Sequence, residues 1–294
     1  MSSSSPESFA SVPDTLAGLR AELDRIDDAL HDLLIARAQV VVRVGALGAK
    51  GPVALRPGRE ADIIQRLLAR HHGALPARVL PRIWRELFAA TTAMQGPYTI
   101  AVCDAPVAGH TGAHVSLARE HFGAATDLRI HSSPAQAIAD VSSLAAIAAV
   151  LPMPSEEDEA RTAWWTALMQ HDAPRIHIVA QLPFWSPRAE GAARVQGLVV
   201  STAAPDPSLH DHSMIGLEVP AEMSRGRIAS LMEGAGLPPL SILLRRSPHD
   251  PLATALVEVD GFVADDDARL AVITAQHRAV VLGAAACPVD GETR

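Results

Sequence analysis

Lysine is nearly absent from this chain. Of its 25 Lys+Arg residues only Lys50 is a lysine, so a compact ammonium has been kept at one place while every other cation is a flat guanidinium fork. Aromatic residues are scarce at 3% and the formal net charge is −8, which excludes a nucleic-acid interface built from a basic groove and stacking rings. There are two cysteines, Cys103 and Cys287, far apart in sequence. They exclude a disulfide framework and a thiolate zinc site, and fit a reducing cytoplasm. No apolar run is long enough to span a bilayer, and the start does not read as a signal peptide, so neither membrane insertion nor export is expected.

What is present is a large supply of apolar side chains, 48% of 294 residues, enough for more than one core at about 100 to 200 residues per domain. Residues 1–13 open with a serine-rich run and are expected to be disordered. From Leu16 the apolar positions step by three and four through Leu19, Leu23, Ile26, Leu30 and Leu33 to Val40, Val44 and Leu47. That spacing predicts one long amphipathic helix, with Asp14 as its N-cap and an end at Gly45, Gly48 and Gly51. Arg37 interrupts the apolar stripe. A cation there needs a carboxylate partner or an anionic ligand, because uncompensated desolvation costs several kcal/mol.

Two shorter helices are predicted, from about Arg59 to Arg70 and from about Pro76 to Gln95, separated by breaks at 55–58 and 71–74. Glu60 stands one turn before Ile64 and so shares its face. The stripe of the third helix runs Leu80, Trp84, Leu87, Thr91, Gln95, turning polar in its last turn before Gly96 and Pro97. No metal ligand set emerges. His110 and His114 are four apart and without an obvious third ligand, His71-His72 and His210-Asp211-His212 read as loops, and Glu156 to Asp158 and Glu159 read as the acidic first turn of a helix.

The segment 14–96 resembles the all-helical (AroQ-type) chorismate mutase family, which builds an intertwined dimer from one long and two shorter helices. The likeness rests on Leu19-Arg20-Ala21-Glu22-Leu23-Asp24-Arg25-Ile26-Asp27, on Leu34-Ile35-Ala36-Arg37, on Arg56-Pro57-Gly58-Arg59-Glu60, and on Thr91 followed by Gln95-Gly96-Pro97. The resemblance implies that Arg20, reaching into the partner's pocket, and Arg37 bind the substrate carboxylates. It assigns Arg59 and Glu60 to the family's Arg-Glu pair, Glu60 holding the substrate hydroxyl. Thr91 takes a position usually written Ser, and Gln95 donates to the ether oxygen. The family's lysine falls at Gly48 by this alignment, while Lys50 stands two residues later. Either the helix unwinds so that Lys50 returns to the pocket, or Lys50 is a surface residue beside a weakened site.

The implied reaction, chorismate to prephenate, is an intramolecular rearrangement that abstracts no proton and uses neither nucleophile, metal nor cofactor. Such an enzyme folds a flexible dianion into its reactive geometry and stabilises charge growing on the breaking ether oxygen. Charge is distributed accordingly: residues 1–96 hold 12 basic and 10 acidic groups, and the remainder 13 and 23.

Beyond Pro97 short apolar strands alternate with helices, at Tyr98 to Cys103, Ala113 to Phe122, Pro134 to Asp140, Ala145 to Leu151 and Arg175 to Ala180. Residues 97–212 thus read as an α/β domain. They resemble a degenerate prephenate dehydratase, through His121-Phe122-Gly123 and Val150-Leu151-Pro152-Met153-Pro154-Ser155. Where that family writes its catalytic Thr-Arg-Phe, this chain has Val195-Gln196-Gly197 before Leu198. Residues 213–290 follow the order strand, helix, strand, strand, helix, strand and resemble the ACT regulatory domain, with Leu244-Arg245-Arg246-Ser247-Pro248 lacking the Glu of the phenylalanine-binding motif. The whole reads as a multidomain cytoplasmic homodimer, acting on chorismate in aromatic amino-acid biosynthesis through an all-α domain, with an inactive C-terminal region. A non-catalytic regulatory partner of an aromatic-pathway enzyme and a bifunctional mutase-dehydratase are the alternatives.

Overall fold

The computed structural model describes residues 15–47, 53–159, 162–170, 173–247 and 250–291. The chain divides into two compact units, 1–49 and 50–294. The first contains α1 (Leu16–Ala46), a single unbroken helix as its periodicity predicts. Thr15 caps it, accepting from Gly18 N at 3.1 Å, and the expected cap Asp14 lies outside the described residues. None of its residues is buried: Leu23, Leu30 and Leu33 are 59%, 53% and 67% exposed. A lone amphipathic helix cannot cover its own apolar stripe.

The second unit opens with α2 (Pro57–Arg70) and α3 (Val79–Ala93). Pro57 does not break the chain but starts α2, where its missing N–H costs nothing. The α2 N-terminus is capped from far away in sequence: both carboxylate oxygens of Asp206 accept backbone hydrogen bonds, from Gly58 and Arg59 at 3.0 Å each. Gly58 is required by this close approach, since a Cβ there would stand 2.2 Å from the Asp206 carbonyl oxygen. The buried face of α3 is Pro81, Arg85, Phe88, Ala89 and Thr92, one position round from the stripe expected at Leu80, Trp84, Leu87 and Thr91. Ala61, Ile64, Leu68 and Phe88 share a core with Phe184, Ala286 and Val289. The helix pair therefore packs on the α/β part.

That part is built on one nine-stranded sheet. Its first half comprises β1 (Thr99–Cys103), α4 (Ala113–Phe122), β2 (Asp127–His131), α5 (Pro134–Ser142), β3 (Ala148–Pro152), a 3₁₀ turn (Trp164–Met169), β4 (His177–Leu182), β5 (Trp185–Ser186) and β6 (Gly197–Ser201). The second half runs β7 (Asp211–Pro220), α6 (Arg225–Gly234), β8 (Pro239–Arg246), β9 (Leu252–Asp260), α7 (Leu270–Thr274), β10 (Arg278–Ala286) and then β11 (Val289–Asp290). The order across the large sheet is β2-β1-β3-β6-β4-β10-β7-β9-β8, and β5 pairs with β11. Within it β10-β7-β9-β8 is antiparallel throughout, with α6 and α7 as crossovers, the ferredoxin-like βαββαβ arrangement. The halves join where β10 runs parallel to β4 at Gly283 and Ile178.

Three further features differ from the sequence expectation. β2 was not expected, because Asp-Leu-Arg-Ile-His at an exposed edge carries no apolar run. The acidic run at Glu156 is a turn, closed by Asp158 N to Ser155 O at 3.2 Å and by Ser155 N to Asp158 Oδ2 at 2.9 Å. His212 belongs to β7 rather than a loop, and its Nδ1 lies 2.8 Å from Glu258 Oε1 on the paired strand.

Candidate functional site

The polar centre of the helix pair is an ion pair that sequence reasoning missed. Glu60, in the first turn of α2, accepts from Arg85 of α3 at 2.7 Å, with side chains 14% and 5% exposed. Arg85 lies on the buried face of α3, and its guanidinium stands 6.0 Å from the Phe88 ring centroid and 5.0 Å from that of Phe184. Burial in this apolar setting lowers the Arg85 pKa, opposed by the Glu60 carboxylate. The same burial, with Glu60 behind it, pushes the Tyr98 hydroxyl up. His121 is held far below the ordinary histidine value by burial and then by the Arg85 charge. The only signal for Arg85 in the sequence is its i+3 spacing to Phe88, which the neighbouring stripe through Trp84 obscured.

Thr91 and Gln95 lie one turn apart on α3 and its end, both half-buried. Thr91 Oγ1 donates to Leu87 O at 2.7 Å, and Gln95 Nε2 donates to Thr91 O at 3.0 Å. Their donor groups are thus held on the helix backbone, within one column. Arg59 is exposed in the first turn of α2. Arg20 and Arg37 stand on α1, Arg20 exposed and Arg37 half-buried. Lys50 and Gly48 lie outside the described residues.

Residues 19–96 match the profile of the family described as chorismate mutase type II. This segment is a chorismate mutase domain. Among sequence relatives, a bifunctional chorismate mutase/prephenate dehydratase of Pseudomonas aeruginosa is 28% identical over 170 residues, covering 54% of this chain and 44% of the relative. One of Aquifex aeolicus is 30% identical over 131 residues, covering 43% and 34%. The first match exceeds the length of the mutase domain and so runs into the α/β part. The chain spans less than half the length of these relatives. Solved structures with a likeness include the prephenate dehydratase of Streptococcus mutans, at 16% identity and TM-score 0.46 over 65% of this chain and 99% of that one. The protein titled GqqA, a quorum quenching acylase, gives 15% and 0.46 over 68% and 99%.

Behind the mutase domain the expected motifs are placed as follows. Gly197 opens β6 directly after Val195 and Gln196, and a Cβ on it would stand 2.7 Å from Leu151 O. Arg246 donates to Ala221 O at 2.7 Å and Met223 O at 2.9 Å, so its guanidinium is occupied by backbone carbonyls. Pro248 lies outside the described residues. His110 and His114 do not share a helix face: α4 begins at Ala113, and His110 precedes it in a bridge with Val107. Among the described residues no group of three or more His, Cys, Asp or Glu is placed to hold a metal ion, and no helix is long and apolar enough to cross a membrane.

Proposed function

We propose that this protein rearranges chorismate to prephenate, in a homodimer whose C-terminal region has no dehydratase activity. The observation that supports it most is the family match over 19–96 together with Arg20, Arg37, Arg59, Glu60, Thr91 and Gln95 at the positions where the family's binding groups fall. In the reaction one C–O bond breaks as one C–C bond forms within a single molecule, with no proton transfer to the protein. Arg20 of one copy and Arg37 of the other clamp the two carboxylates with bidentate forks. Glu60 accepts from the substrate hydroxyl. Lys50 and Gln95 donate to the ether oxygen, which gains charge towards the transition state, so they raise turnover more than binding.

The test is loss of chorismate absorbance with purified full-length protein. Arg37→Ala is expected to abolish it with the fold intact, and Lys50→Ala to lower turnover by roughly a hundredfold, the usual cost of one such donor. No conversion above the uncatalysed rate would favour the non-catalytic regulatory reading. Prephenate supplied to the same protein is expected to yield no phenylpyruvate, since valine, glutamine and glycine at 195–197 supply no acid near neutral pH. Phenylalanine is expected not to raise the melting temperature, since the motif Glu is absent beside Arg245 and Arg246.

A further inference from the structure

A cavity of about 690 Å³ opens between α3, α4 and the turn from β4 to β5. Among the described residues, none of the proposed mutase positions lines it, nor does any residue of 150–155 or 195–197. Its apolar surface comes from Pro81, Val115, Leu182, Pro183, Phe184 and Trp185. Five guanidiniums, Arg78, Arg82, Arg85, Arg119 and Arg188, also line it. Against them stand Glu86 and Glu120 on the wall and Glu60 behind Arg85, leaving two positive charges over.

The cations differ in what already holds them. Arg188 is forked onto Glu120, Nε to Oε2 at 2.8 Å and a terminal nitrogen to Oε1 at 2.7 Å, and Arg119 donates to the carbonyls of Ala124 and Thr126. Arg78 and Arg82, one turn apart at the start of α3, are exposed and have no hydrogen bond or ion pair among the described residues. His121 on the cavity wall is 8% exposed and likewise makes no hydrogen bond there. Its imidazole is neutral at ordinary pH, through burial and the nearby Arg85 charge, so it brings one donor and one acceptor to the wall.

We infer that this cavity binds an aromatic carboxylate, its ring on the floor of Phe184 and Trp185 and its carboxylate on Arg78 and Arg82. An inorganic anion would satisfy the guanidiniums and leave the apolar floor wet, whereas a neutral aromatic would cover the floor and leave the charge unmatched. Pockets of this size with an apolar body and a few convergent polar groups are the common form of small-molecule sites.

The test is calorimetric titration of the full-length protein with 3-phenylpropionate, 3-phenyl-1-propanol and inorganic phosphate. Saturable binding of one 3-phenylpropionate per chain is expected, with the alcohol and phosphate each at least tenfold weaker. Arg78→Ala with Arg82→Ala, both without partners to lose, should weaken 3-phenylpropionate at least tenfold while chorismate turnover, where present, is unchanged. Ser116→Trp, which places an indole in the cavity from an exposed position of α4, should abolish it. Arg37→Ala should leave it intact, which separates this cavity from the mutase positions. Absence of saturable binding, equal binding of the alcohol, indifference to Ser116→Trp, or loss of binding in Arg37→Ala would each overturn the assignment.

Discussion

At the scale of single residues, the pair of Glu60 and Arg85 is where the chain carries its most exposed liability. Two charges have been taken largely out of water and face each other at 2.7 Å. Breaking such a pair by removing one partner costs about 3–5 kcal/mol, because an uncompensated charge is left behind. Arg85→Met is therefore expected to lower stability by roughly that amount, read as a shift in the urea midpoint. Glu60→Gln in the same chain should return part of it, because the carboxylate that faced Arg85 is then neutral. A single substitution as mild as an average surface change would show that water already reaches the pair. The sequence made half of this visible. Glu60 was legible because it sits one turn from Ile64 in a charged first turn, but Arg85 is one arginine among many. Its burial depends on Phe184, almost a hundred residues away, and no local pattern carries that contact. The position of Lys50 was legible only as an anomaly of composition.

At the scale of elements, the helices were read well because their signals are local. The periodicity of α1 predicts its extent to within a residue or two, and the strand and helix order of residues 211–286 appears in the sequence as it does in the fold. What failed was set by distant partners. Pro57 and Gly58 look like a break, yet they begin α2 because Asp206 supplies the cap that Arg56 does not. Asp206→Ala should cost about 0.5–2 kcal/mol, the usual worth of a capping side chain. Gly58→Ala should cost more, although alanine favours helix by about 1 kcal/mol over glycine, because its Cβ meets the Asp206 carbonyl at 2.2 Å. Both are measured by denaturant midpoints, and a Gly58→Ala variant more stable than the parent would mean that the loop at 206 yields freely. β2 escaped notice for the opposite reason: an edge strand with exposed faces needs no apolar alternation.

At the scale of the whole molecule, α1 is the feature that calls for a second copy. Its 31 residues make about 46 Å at 1.5 Å per residue, with an apolar stripe that stays exposed along its length. A soluble monomer rarely tolerates a contiguous apolar patch of that extent. Light scattering at micromolar concentration is expected to give twice the chain mass, and Leu23→Lys with Leu30→Lys should convert it to the single-chain mass. Mixing Arg20→Ala with Arg37→Ala subunits should restore part of the mutase rate if each pocket takes one arginine from each copy. A parent protein that scatters as a single chain removes the intertwined arrangement.

The parallel junction of β10 with β4 has one more consequence, for how the ferredoxin-like half can assemble. Standing alone, a sheet in the order β10-β7-β9-β8 would offer two open edges to neighbouring chains. Here β4 occupies the first of them, at a seam so tight that a Cβ on Gly283 would lie 2.0 Å from Ile178 O. Among the described strands of that half, only β8 lies at an outer edge of the large sheet. Any side-by-side continuation of this half into another chain must therefore proceed across β8, which makes the growth of such an assembly one-directional from the start.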